Sequence, residues 1–519
     1  MSKNSPIKIK RALISVSDKK NILVLAKSLQ KESVEIISTG GTLKFLEEAG
    51  IKVKDISEFT GSKEMMNGRV KTLHPKVHAG ILSRRNIDKN EVKKNSIEEI
   101  DLVVVNLYPF EETVKNNGTF EEAIENIDIG GPTMIRASAK NFYYVSVLSS
   151  PNEYESFIKE FEENKAISYA TRLKLAETAF SNVTKYDLSI SDFFENLDEE
   201  DLPKSIFGAY YKSDNLRYGE NPHQKAAFYK LSNKSPNGIS SATQLQGKEL
   251  SYNNIADTDA ALECVSNFSE ASCVIVKHAN PCGVASSNSV LEAYKKAFAC
   301  DPTSAFGGII AVNKEIDEKT ANYLIENQFI EVVAAPNFTK AAMEQFKTKK
   351  NVRLLAIKNQ KKINPGLKFH SVDSGLLVQS IDTGEIENQD LIVATEKKPN
   401  KEELKNAMFA WKVCKYVKSN AIVYASKNQT LGIGAGQMSR IDSAEIAAKK
   451  AKKAGFDLNG SCMASDAFFP FRDSIDEAAK NGISCIIQPG GSIRDDEIIS
   501  AANEANMIMI FTGMRHFRH

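Results

Sequence analysis

The chain has 519 residues, of which 42% are apolar and 26% charged, and its 67 lysines and arginines nearly balance 66 aspartates and glutamates for a net charge of +1. This composition is ordinary for a globular protein and excludes disordered, collagen-like and fibrous classes. The charge balance requires no polyelectrolyte partner, and the apolar runs are far shorter than the roughly 20 residues that a membrane span needs.

The N-terminal residues and the cysteines both favour a soluble, cytoplasmic protein. Residues 1–11 contain lysines but no apolar core with a small-residue cleavage site, so no secretory signal is expected. The seven cysteines are odd in number and widely spaced, which argues against a disulfide scaffold. Neither C-x-x-C nor H-x-E occurs, so we expect no structural or hydrolytic zinc.

The chain before Glu195 is predicted to form one doubly wound α/β domain. Residues 11–16 and 33–38 are predicted strands, and the apolar spacing over 21–30 predicts a helix between them. Residues 101–106 form a continuous apolar strand of the kind that is buried in a parallel sheet. A further helix is expected over 133–141, opened by two glycines and a proline.

The acidic stretch 195–201 is the predicted linker, which divides the chain into domains of residues 1–200 and 201–519. The second domain contains a weak internal duplication. An Ala-Phe pair, an Ile-Asp-Glu triplet, a helix and a strand occur twice in this order, and the two strands end at Pro336 and Pro489. Two similar α/β subdomains, of about 205–395 and 396–519, explain this pattern, with chance similarity as the alternative.

The segment Thr39-Gly40-Gly41-Thr42 lies between a predicted strand and a predicted helix. Free backbone N–H groups and the positive helix end can hold a phosphate there, although a plain tight turn explains the same residues. Ser17, Asp18 and Lys19 follow the first strand at the same carboxyl edge, where open α/β sheets bind ligands. Together these segments favour a phosphorylated small molecule.

Lys71, Tyr108, Asp128 and Lys140 are expected to meet in one crevice. Each has a plainer explanation when taken alone, as a solvated basic loop or a packed ring. Two ammonium groups, a phenol and a carboxylate in one crevice can move protons and stabilise an oxyanion without a metal. The presence of all four residues together therefore predicts an active site.

Lys277 and His278 end a predicted strand, and a turn is expected directly after them at residues 280–283. Adjacent strand residues face opposite sides, so both reach one site only because the strand stops here. A structural histidine is the alternative.

Three later motifs point to ligand binding. Residues 432–437 have G-x-G-x-G spacing rather than G-x-G-x-x-G, which argues against a dinucleotide site. Arg440 follows at a predicted helix start and is interpreted as an anion ligand. The aromatic residues at 467–473 suit stacking on a flat heterocycle, and residues 514–519 would ordinarily be a frayed tail.

Six separated motifs, in the right order, resemble the family of bifunctional AICAR transformylase/IMP cyclohydrolases of purine biosynthesis. The resemblance runs over about residues 12–519 and is carried by KTLHP at 71–75, IDIGG at 127–131, RYGENPHQ at 217–224, KH at 277–278, GAGQ at 434–437 and DAFFPF at 466–471.

The resemblance implies an α/β protein with an N-terminal methylglyoxal-synthase-like domain and a C-terminal transformylase region of two cytidine-deaminase-like subdomains without zinc ligands. It implies formyl transfer from 10-formyltetrahydrofolate to AICAR, followed by ring closure of formyl-AICAR to IMP. It further implies a homodimer with transformylase sites across the interface. The charge balance, the short apolar runs and the missing secretory signal predict a cytoplasmic protein with no nucleic-acid or membrane partner.

The resemblance also assigns site residues. Lys140 would carry the proton in the cyclohydrolase, with Lys71, Tyr108 and Asp128 around the formyl group, while His278 would be the transformylase base beside Lys277. The ribotide in the cyclohydrolase would bind to Ser17, Asp18, Lys19, Thr39, Gly40, Gly41, Thr42, Arg69, Thr72, Asn106 and Ile129. In the transformylase it would bind to Arg217, Tyr218, Gly307, Glu331, Asn420, Arg440 and Arg515, with the folate against Ile441, Phe468, Asp473, Ser492 and Ile493.

Two other classes compete. The N-terminal domain also resembles effector-binding modules, which would need the phosphate loops but not the four reactive residues together. A nucleoside deaminase would need zinc ligands, which the cysteine and histidine spacings do not provide.

Overall fold

The computed structural model describes residues 5–195, 197, 202–231, 237–358 and 366–519. The chain forms two compact units, Met1–Ala209 and Tyr210–His519. The predicted linker at 195–201 falls mostly on residues outside those described. None of the helices in the described ranges is long and apolar enough to cross a membrane.

The first unit contains a five-stranded parallel sheet in the order β3-β2-β1-β4-β5. Its strands are β1 (Arg11–Val16), β2 (Glu35–Ser38), β3 (Lys54–Asp55), β4 (Leu102–Asn106) and β5 (Ser146–Leu148). Its helices are α1 (Ile22–Lys31), α2 (Gly40–Glu48), α3 (Ile56–Thr60), α4 (Pro75–Leu82), α5 (Lys89–Lys94), α6 (Phe110–Lys115), α7 (Phe120–Glu125), α8 (Gly130–Lys140), α9 (Tyr154–Asn164) and α10 (Tyr169–Glu195), with a 3-10 turn at Pro151–Glu153.

The predicted parallel sheet is confirmed, and its strands are buried because helices cover both faces. Ala12, Leu13 and Ile14 of β1 are fully buried in a core that extends from Ile9 to Val183. The helix predicted over 133–141 begins three residues earlier, at Gly130. A Cβ on Gly131 would lie 2.4 Å from Asp128 Oδ2, so a glycine is needed where this helix starts against the preceding loop.

The second unit has a continuous twelve-stranded sheet and two separate hairpins, β6 with β7 and β14 with β15. Its strands are β6 (Tyr210–Leu216), β7 (Ala226–Leu231), β8 (Thr243–Gln246), β9 (Ala271–Lys277), β10 (Asn280–Ser287), β11 (Gly308–Val312), β12 (Ile330–Ala335), β13 (Arg353–Ala356), β14 (Leu367–Val372), β15 (Gly375–Ser380), β16 (Ile392–Val393), β17 (Ile422–Ser426), β18 (Gln429–Gly434), β19 (Cys462–Ser465), β20 (Cys485–Gln488) and β21 (Ile508–Phe511).

The helices of this unit are α11 (Tyr252–Val265), α12 (Val290–Cys300), α13 (Pro302–Ala305), α14 (Glu318–Asn327), α15 (Lys340–Phe346), α16 (Lys401–Cys414), α17 (Arg440–Lys453), α18 (Asp473–Lys480) and α19 (Asp495–Glu504). Short 3-10 turns lie at Gly238–Ser241, Lys347–Lys349 and Asn388–Asp390.

The strand order shows the duplication that the repeated motifs predict. The large sheet runs β16-β21-β20-β19-β17-β18-β10-β9-β11-β12-β13-β8, so each half has the same sequence of strands outward from the central pair β18 and β10. Residues from both halves form one core beneath α11 and α16. On the other face each half has a core of its own.

One prediction about this sheet is wrong. Residues 280–283 are not a turn but the start of β10, and the two-residue loop is His278-Ala279. Pro281 lies at an irregular point of the pairing between β9 and β10, before Gly283, so this proline is accommodated within the strand and does not force a turn.

Candidate active sites

The side chain of Asn106 shapes the carboxyl edge of the first sheet. Its Oδ1 accepts hydrogen bonds from the backbone N–H of Ser17 at 2.6 Å and of Asp18 at 2.9 Å. Its Nδ2 donates to the carbonyl of Asp18 at 2.8 Å. The amide thereby fixes the loop after β1 against the end of β4, because parallel strands bring these ends together.

The Thr39–Thr42 turn joins the same edge. Thr42 Oγ1 donates to the carbonyl of Val16 at 2.9 Å and accepts from its N–H at 3.1 Å, so this hydroxyl holds the turn to β1. Thr39 caps α2 without a side-chain hydrogen bond. A Cβ on Gly40 would lie 3.3 Å from Lys71 Nζ, which places that ammonium over the helix start. The arrangement suits an anion.

Both cations of the 68–75 loop have carboxylate partners. Lys71 Nζ lies 3.1 Å from Glu64, and Arg69 forms an exposed ion pair with Glu125. Thr72 Oγ1 would lie 2.9 Å from a Cβ on Gly130, so this loop also contacts the start of α8. The 68–75 loop therefore contacts both the Thr39–Thr42 turn and the start of α8, which follows Asp128.

Asp128 is a largely buried acid at this edge. Burial raises the pKa of its carboxyl, and backbone hydrogen bonds from Gly131 and Tyr108 only partly oppose the effect. The N–H of Gly131 donates to its Oδ1 at 2.8 Å, and its own N–H donates to the hydroxyl of Tyr186 at 2.8 Å. Such a carboxyl is a candidate for proton transfer.

Of the other residues predicted here, Tyr108 is half exposed near Asp128, and Ile129 is exposed. Lys140 is placed differently from the expectation, because it is the last residue of α8, whose first turn follows Asp128. Ten residues of helix separate its Cα from the start of α8 by about 15 Å. Lys140 instead lines a cavity of about 620 Å³ with Arg136 and Phe180. The first unit alone does not bring all four predicted side chains into one crevice.

In the second unit, His278 and Ala279 form a tight turn between β9 and β10. Their φ angles are 54° and 57°, the left-handed values that a two-residue type I′ hairpin requires. Asp257 on α11 holds the turn, because its carboxylate accepts from the N–H of Ala279 at 2.7 Å and of His278 at 3.3 Å. The imidazole is exposed, so a purely structural histidine is not the better explanation.

Lys277 is fixed beside this turn. Its Nζ donates to the carbonyls of Phe306 at 3.1 Å and Gly307 at 3.2 Å. Gly307 has φ 68°, and a Cβ there would lie 3.2 Å from the same Nζ. The exposed rings of Phe306 and Phe329 stack at 5.1 Å next to it. An oriented ammonium and a flat apolar surface thus lie together.

Glu331, Arg217 and Tyr218 form a neighbouring group. Glu331 Oε2 accepts from Asn254 Nδ2 at 2.9 Å and lies 3.9 Å from the guanidinium of Arg353. Burial lowers the pKa of Arg353, the charge of Glu331 raises it, and the nearby charge of Arg217 lowers it. The guanidinium of Arg217 lies 5.1 Å from the ring of Tyr218.

Arg440 does not present a free guanidinium to an anion, contrary to the sequence interpretation. It is buried, forms an ion pair with the fully buried Asp466, and donates to Ser465 Oγ at 2.9 Å and Asn420 Oδ1 at 2.7 Å. The sequence shows the helix start and Asp466 separately, but not that the two side chains form a pair. Arg440 therefore orients Asn420.

Asn420 lies close to the turn that carries His278. The N–H of Lys418 donates to Asn280 Oδ1 at 2.9 Å, and Asn280 follows the turn directly. The two halves of the second unit therefore meet at this point, where β18 and β10 are neighbours.

The C-terminal residues are docked rather than frayed. His516 is buried, its N–H donates to the carbonyl of Asp466 at 3.1 Å, and its Nδ1 lies 2.5 Å from Asp382. Burial tends to raise the pKa of Asp382, but hydrogen bonds and charges from His516 and Lys415 lower it to about 2. Arg515 is held exposed, with its guanidinium 4.3 Å from the ring of Phe517.

The predicted folate residues lie on neighbouring loops and helix starts. Ile441 and Asp473 are in the first turns of α17 and α18, which pack together. The guanidinium of Arg494 lies 4.8 Å from the ring of Phe471 and thereby connects the loop of Phe468 to that of Ser492 and Ile493. Phe468 is partly exposed and Ile493 fully exposed, whereas Phe469 is buried in the core. The exposed apolar side chains suit a flat heterocycle.

Sequence reasoning missed the residues that act through others, above all Asp257, Asp466, Arg353 and His516. Asp466 was visible in the DAFFPF motif, but the other three carry no local signal. Within the residues described, no group of three or more histidine, cysteine, aspartate or glutamate side chains is arranged to hold a metal ion.

The fold and the two clusters define a two-site α/β enzyme. Residues 138–450 match the family model described as AICARFT/IMPCHase bienzyme, and residues 21–133 match the MGS-like domain. Among solved structures, the crystal structure of ForH is 36% identical, over 36% of this chain and 96% of that chain, with a TM-score of 0.32.

The chain belongs to the AICARFT/IMPCHase bienzyme family. It is accordingly a formyltransferase and an IMP cyclohydrolase, and it catalyses the last two steps of IMP synthesis.

Proposed function

We propose that formyl transfer takes place in the second unit at Lys277 and His278, and ring closure in the first unit at the edge that carries Asp128. The observation that supports this division most strongly is the exposed His278, held in a left-handed turn by Asp257 beside an oriented ammonium. Such strain at an exposed titratable group is characteristic of functional positions.

The exocyclic amine of AICAR is a weak nucleophile, because it is conjugated with the imidazole carboxamide. A positioned base is needed to remove its proton as the N–C bond to the formyl carbon forms. His278 is that base in our proposal. The ammonium of Lys277, fixed by two carbonyl groups, stabilises the tetrahedral oxyanion. The C–N10 bond then breaks, and the proton that His278 took from the amine passes to N10 of the leaving tetrahydrofolate.

The ribotide is proposed to lie between the two groups that flank the turn. Arg217, Tyr218, Gly307 and Glu331 are proposed to contact it from one side, and Asn420 and Arg515 from the other. Arg440 contributes by orienting Asn420, since its two terminal guanidinium nitrogens already donate to Ser465, Asp466 and Asn420. The donor 10-formyltetrahydrofolate is proposed to bind across Phe468, Asp473, Ser492, Ile493 and Ile441, where exposed apolar side chains can stack on a pterin.

Ring closure joins the carboxamide nitrogen to the formyl carbon of the same molecule and releases water. The protein must fix the reactive rotamer and move protons. Ser17, Asp18, Lys19, the 39–42 turn, Arg69, Thr72, Asn106 and Ile129 are proposed to hold the ribotide. Asp128 is proposed to exchange the proton, with Tyr108 and Lys71 at the developing charges, while the role of Lys140 rests on the family pattern.

A cytoplasmic homodimer is part of the proposal on the same family pattern. Each chain already has a complete Lys277 and His278 turn, so dimerisation would complete ligand binding rather than create the base. We propose no nucleic-acid or membrane partner, in keeping with the net charge of +1.

The test is His278→Ala. A general base is worth about 10²–10⁴ in rate, so formyl transfer from 10-formyltetrahydrofolate to AICAR should fall by that factor. Cyclisation of added formyl-AICAR should keep its wild-type rate, which controls for folding. Unchanged formyl transfer in this variant would remove the assignment.

A further inference from the structure

The loop that carries Asp128 is held by the phenol of Tyr186 on α10. Tyr186 is only 8% exposed, and its hydroxyl accepts a hydrogen bond from the N–H of Asp128 at 2.8 Å. The same hydroxyl donates to the carbonyl of Asn126 at 2.9 Å. One oxygen atom therefore bridges the short connection between α7, which ends at Glu125, and α8, which begins at Gly130.

The carboxyl of Asp128 is placed by main-chain groups. The N–H of Gly131 donates to its Oδ1 at 2.8 Å, and the N–H of Tyr108 also hydrogen-bonds to this carboxyl. A Cβ on Gly131 would lie 2.4 Å from Asp128 Oδ2 and 2.8 Å from Leu107, so the packing here is close. The carboxyl therefore keeps its place only as long as the backbone at 126–128 keeps its own, and Tyr186 bonds to that backbone at both ends.

The ring of Tyr186 packs against the segment that carries Tyr108. Tyr186 and Phe110 belong to one small hydrophobic cluster, and Leu107 packs against it. The rings of Tyr186 and Phe110 meet edge to face at 6.2 Å. Phe110 is the first residue of α6 and follows Tyr108 by two residues. A single side chain thus supports both the Asp128 loop and the segment of Tyr108.

Polar contacts on either side of Tyr186 join α10 to α6. Ser189 Oγ donates to Glu111 Oε1 at 2.8 Å, and Lys185 Nζ lies 3.6 Å from the same oxygen. Glu111 is in the first turn of α6. Because these contacts lie one residue before Tyr186 and three after it, the phenol has a fixed position from which to bond the loop.

The hydroxyl of Tyr186 supports the loop without exchanging a proton itself. Burial raises the pKa of Tyr186 to about 12, the hydrogen bond with the backbone of Asp128 opposes the shift, and the charges of Asp128, Asp187 and Tyr108 add to it. The phenol is therefore protonated near neutral pH and can donate to Asn126 throughout that range. Any effect of Tyr186 on the reaction must pass through the residues it holds.

We propose that Tyr186 is a positioning residue for ring closure, whose hydroxyl fixes the backbone from which the carboxyl of Asp128 reaches formyl-AICAR. The inference rests on the proposed role of Asp128 in the cyclohydrolase. Tyr186→Phe removes one oxygen atom, keeps the ring in its cluster and leaves the N–H of Asp128 without this acceptor. The chemical step slows because the carboxyl is displaced, whereas the ribotide still binds to the 17–19 and 39–42 segments.

Steady-state kinetics of the full chain with formyl-AICAR test the proposal. In Tyr186→Phe the kcat of cyclisation should fall by about tenfold or more, as for a misplaced catalytic group, with KM unchanged. The matched variant Tyr169→Phe removes a hydroxyl from the first residue of the same helix and should leave both constants at their wild-type values. Wild-type formyl transfer to AICAR and thermal unfolding check that each variant is folded.

The same change in an Asp128→Asn background separates positioning from a general structural loss. If Tyr186 acts through the carboxyl, Tyr186→Phe should slow Asp128→Asn little further. An equal loss in both backgrounds would overturn the proposal, and so would a wild-type kcat in Tyr186→Phe or a raised KM at constant kcat. Slow cyclisation by Asp128→Asn together with normal Tyr186→Phe refutes only the positioning role, whereas wild-type cyclisation by Asp128→Asn refutes the proposed role of Asp128 itself.

Discussion

At the scale of single residues, Asp128 allows the sharpest test in the first unit. Burial holds the pKa of its carboxyl above the ordinary value. A raised pKa in the folded state means that folding disfavours the charged form, so this carboxyl destabilises the fold as pH rises from the unfolded to the folded pKa. Above that pH range the carboxyl of Asp128 is fully ionised in both states, and its burial lowers the free energy of unfolding by the full amount.

Asp128→Asn removes this charge and retains an oxygen for the N–H of Gly131. We expect cyclisation of formyl-AICAR to fall, while the unfolding temperature at neutral pH stays equal to that of the wild type or rises. The advantage of the variant should disappear at acidic pH, where the wild-type carboxyl is protonated. Wild-type cyclisation in this variant would show that the carboxyl carries no proton in the reaction.

Lys71 and Lys140 offer a paired comparison. The structure places Lys71 over the start of α2, whereas Lys140 lies at the far end of α8. We expect Lys71→Met to reduce cyclisation severely, because it removes the ammonium that lies over the Thr39–Thr42 turn. Lys140→Met, measured in the same assay, tests the role that the family pattern gives it. If both variants lose cyclisation to the same extent, Lys140 takes part in the reaction. It must then reach the reacting group in an arrangement that one copy of the first unit does not contain.

Sequence reasoning at this scale found residues whose chemistry is local and missed those that act through space. Lys277 and His278 are adjacent and end a strand, so their pattern was readable. The burial of Arg440 depends on Asp466, which is 26 residues away along the chain. No periodicity or motif shows such a pair. Arg440 was therefore assigned to a ligand.

At the scale of elements, apolar periodicity predicted the strands and helices that are buried on a regular face. β1 matches its prediction at both ends, and α1 is shifted by one residue. The turn at His278-Ala279 was missed because left-handed φ values normally select glycine or asparagine. These angles are stabilised by hydrogen bonds from the turn to Asp257 on α11, and no local sequence pattern reveals that contact.

Asp257→Ala should therefore weaken this turn. The variant leaves the N–H groups of His278 and Ala279 without their acceptor while both residues keep left-handed angles. We expect the kcat of formyl transfer to fall by about tenfold or more, as for a misplaced catalytic group. Cyclisation should be unchanged.

Adding Ala279→Gly supplies the internal control. Glycine adopts φ near 57° without the cost of roughly 1–2 kcal/mol that an L-residue pays there. The double variant should recover part of the formyl-transfer rate. A loss of rate in Asp257→Ala with no recovery in the double variant would show that Asp257 acts on the ligand rather than on the turn.

At the scale of the whole molecule, each unit has hydrophobic cores of its own. The cores of the first unit contain residues from Ile9 to Val183 and from Phe110 to Tyr186, and those of the second lie between Ala260 and Ile510. No described core cluster contains buried residues from both units. Such separation is what independently folding domains require.

The two activities should accordingly survive separation of residues 1–209 from residues 210–519, the division that the contacts define. We expect the first piece to cyclise formyl-AICAR and the second to formylate AICAR. A mixture of the two should convert AICAR and 10-formyltetrahydrofolate into IMP. Thermal unfolding of each piece establishes that it is folded before its activity is judged.

Carrying His278→Ala in the second piece should abolish IMP formation by the mixture, and adding formyl-AICAR should restore it, because the first piece needs no transformylase residue. A folded first piece that fails to cyclise formyl-AICAR would place part of the cyclohydrolase site in residues 210–519. A folded second piece that transfers formyl groups only as a dimer would support the proposed assembly, since its base is present in every chain but its ligands would then come from two.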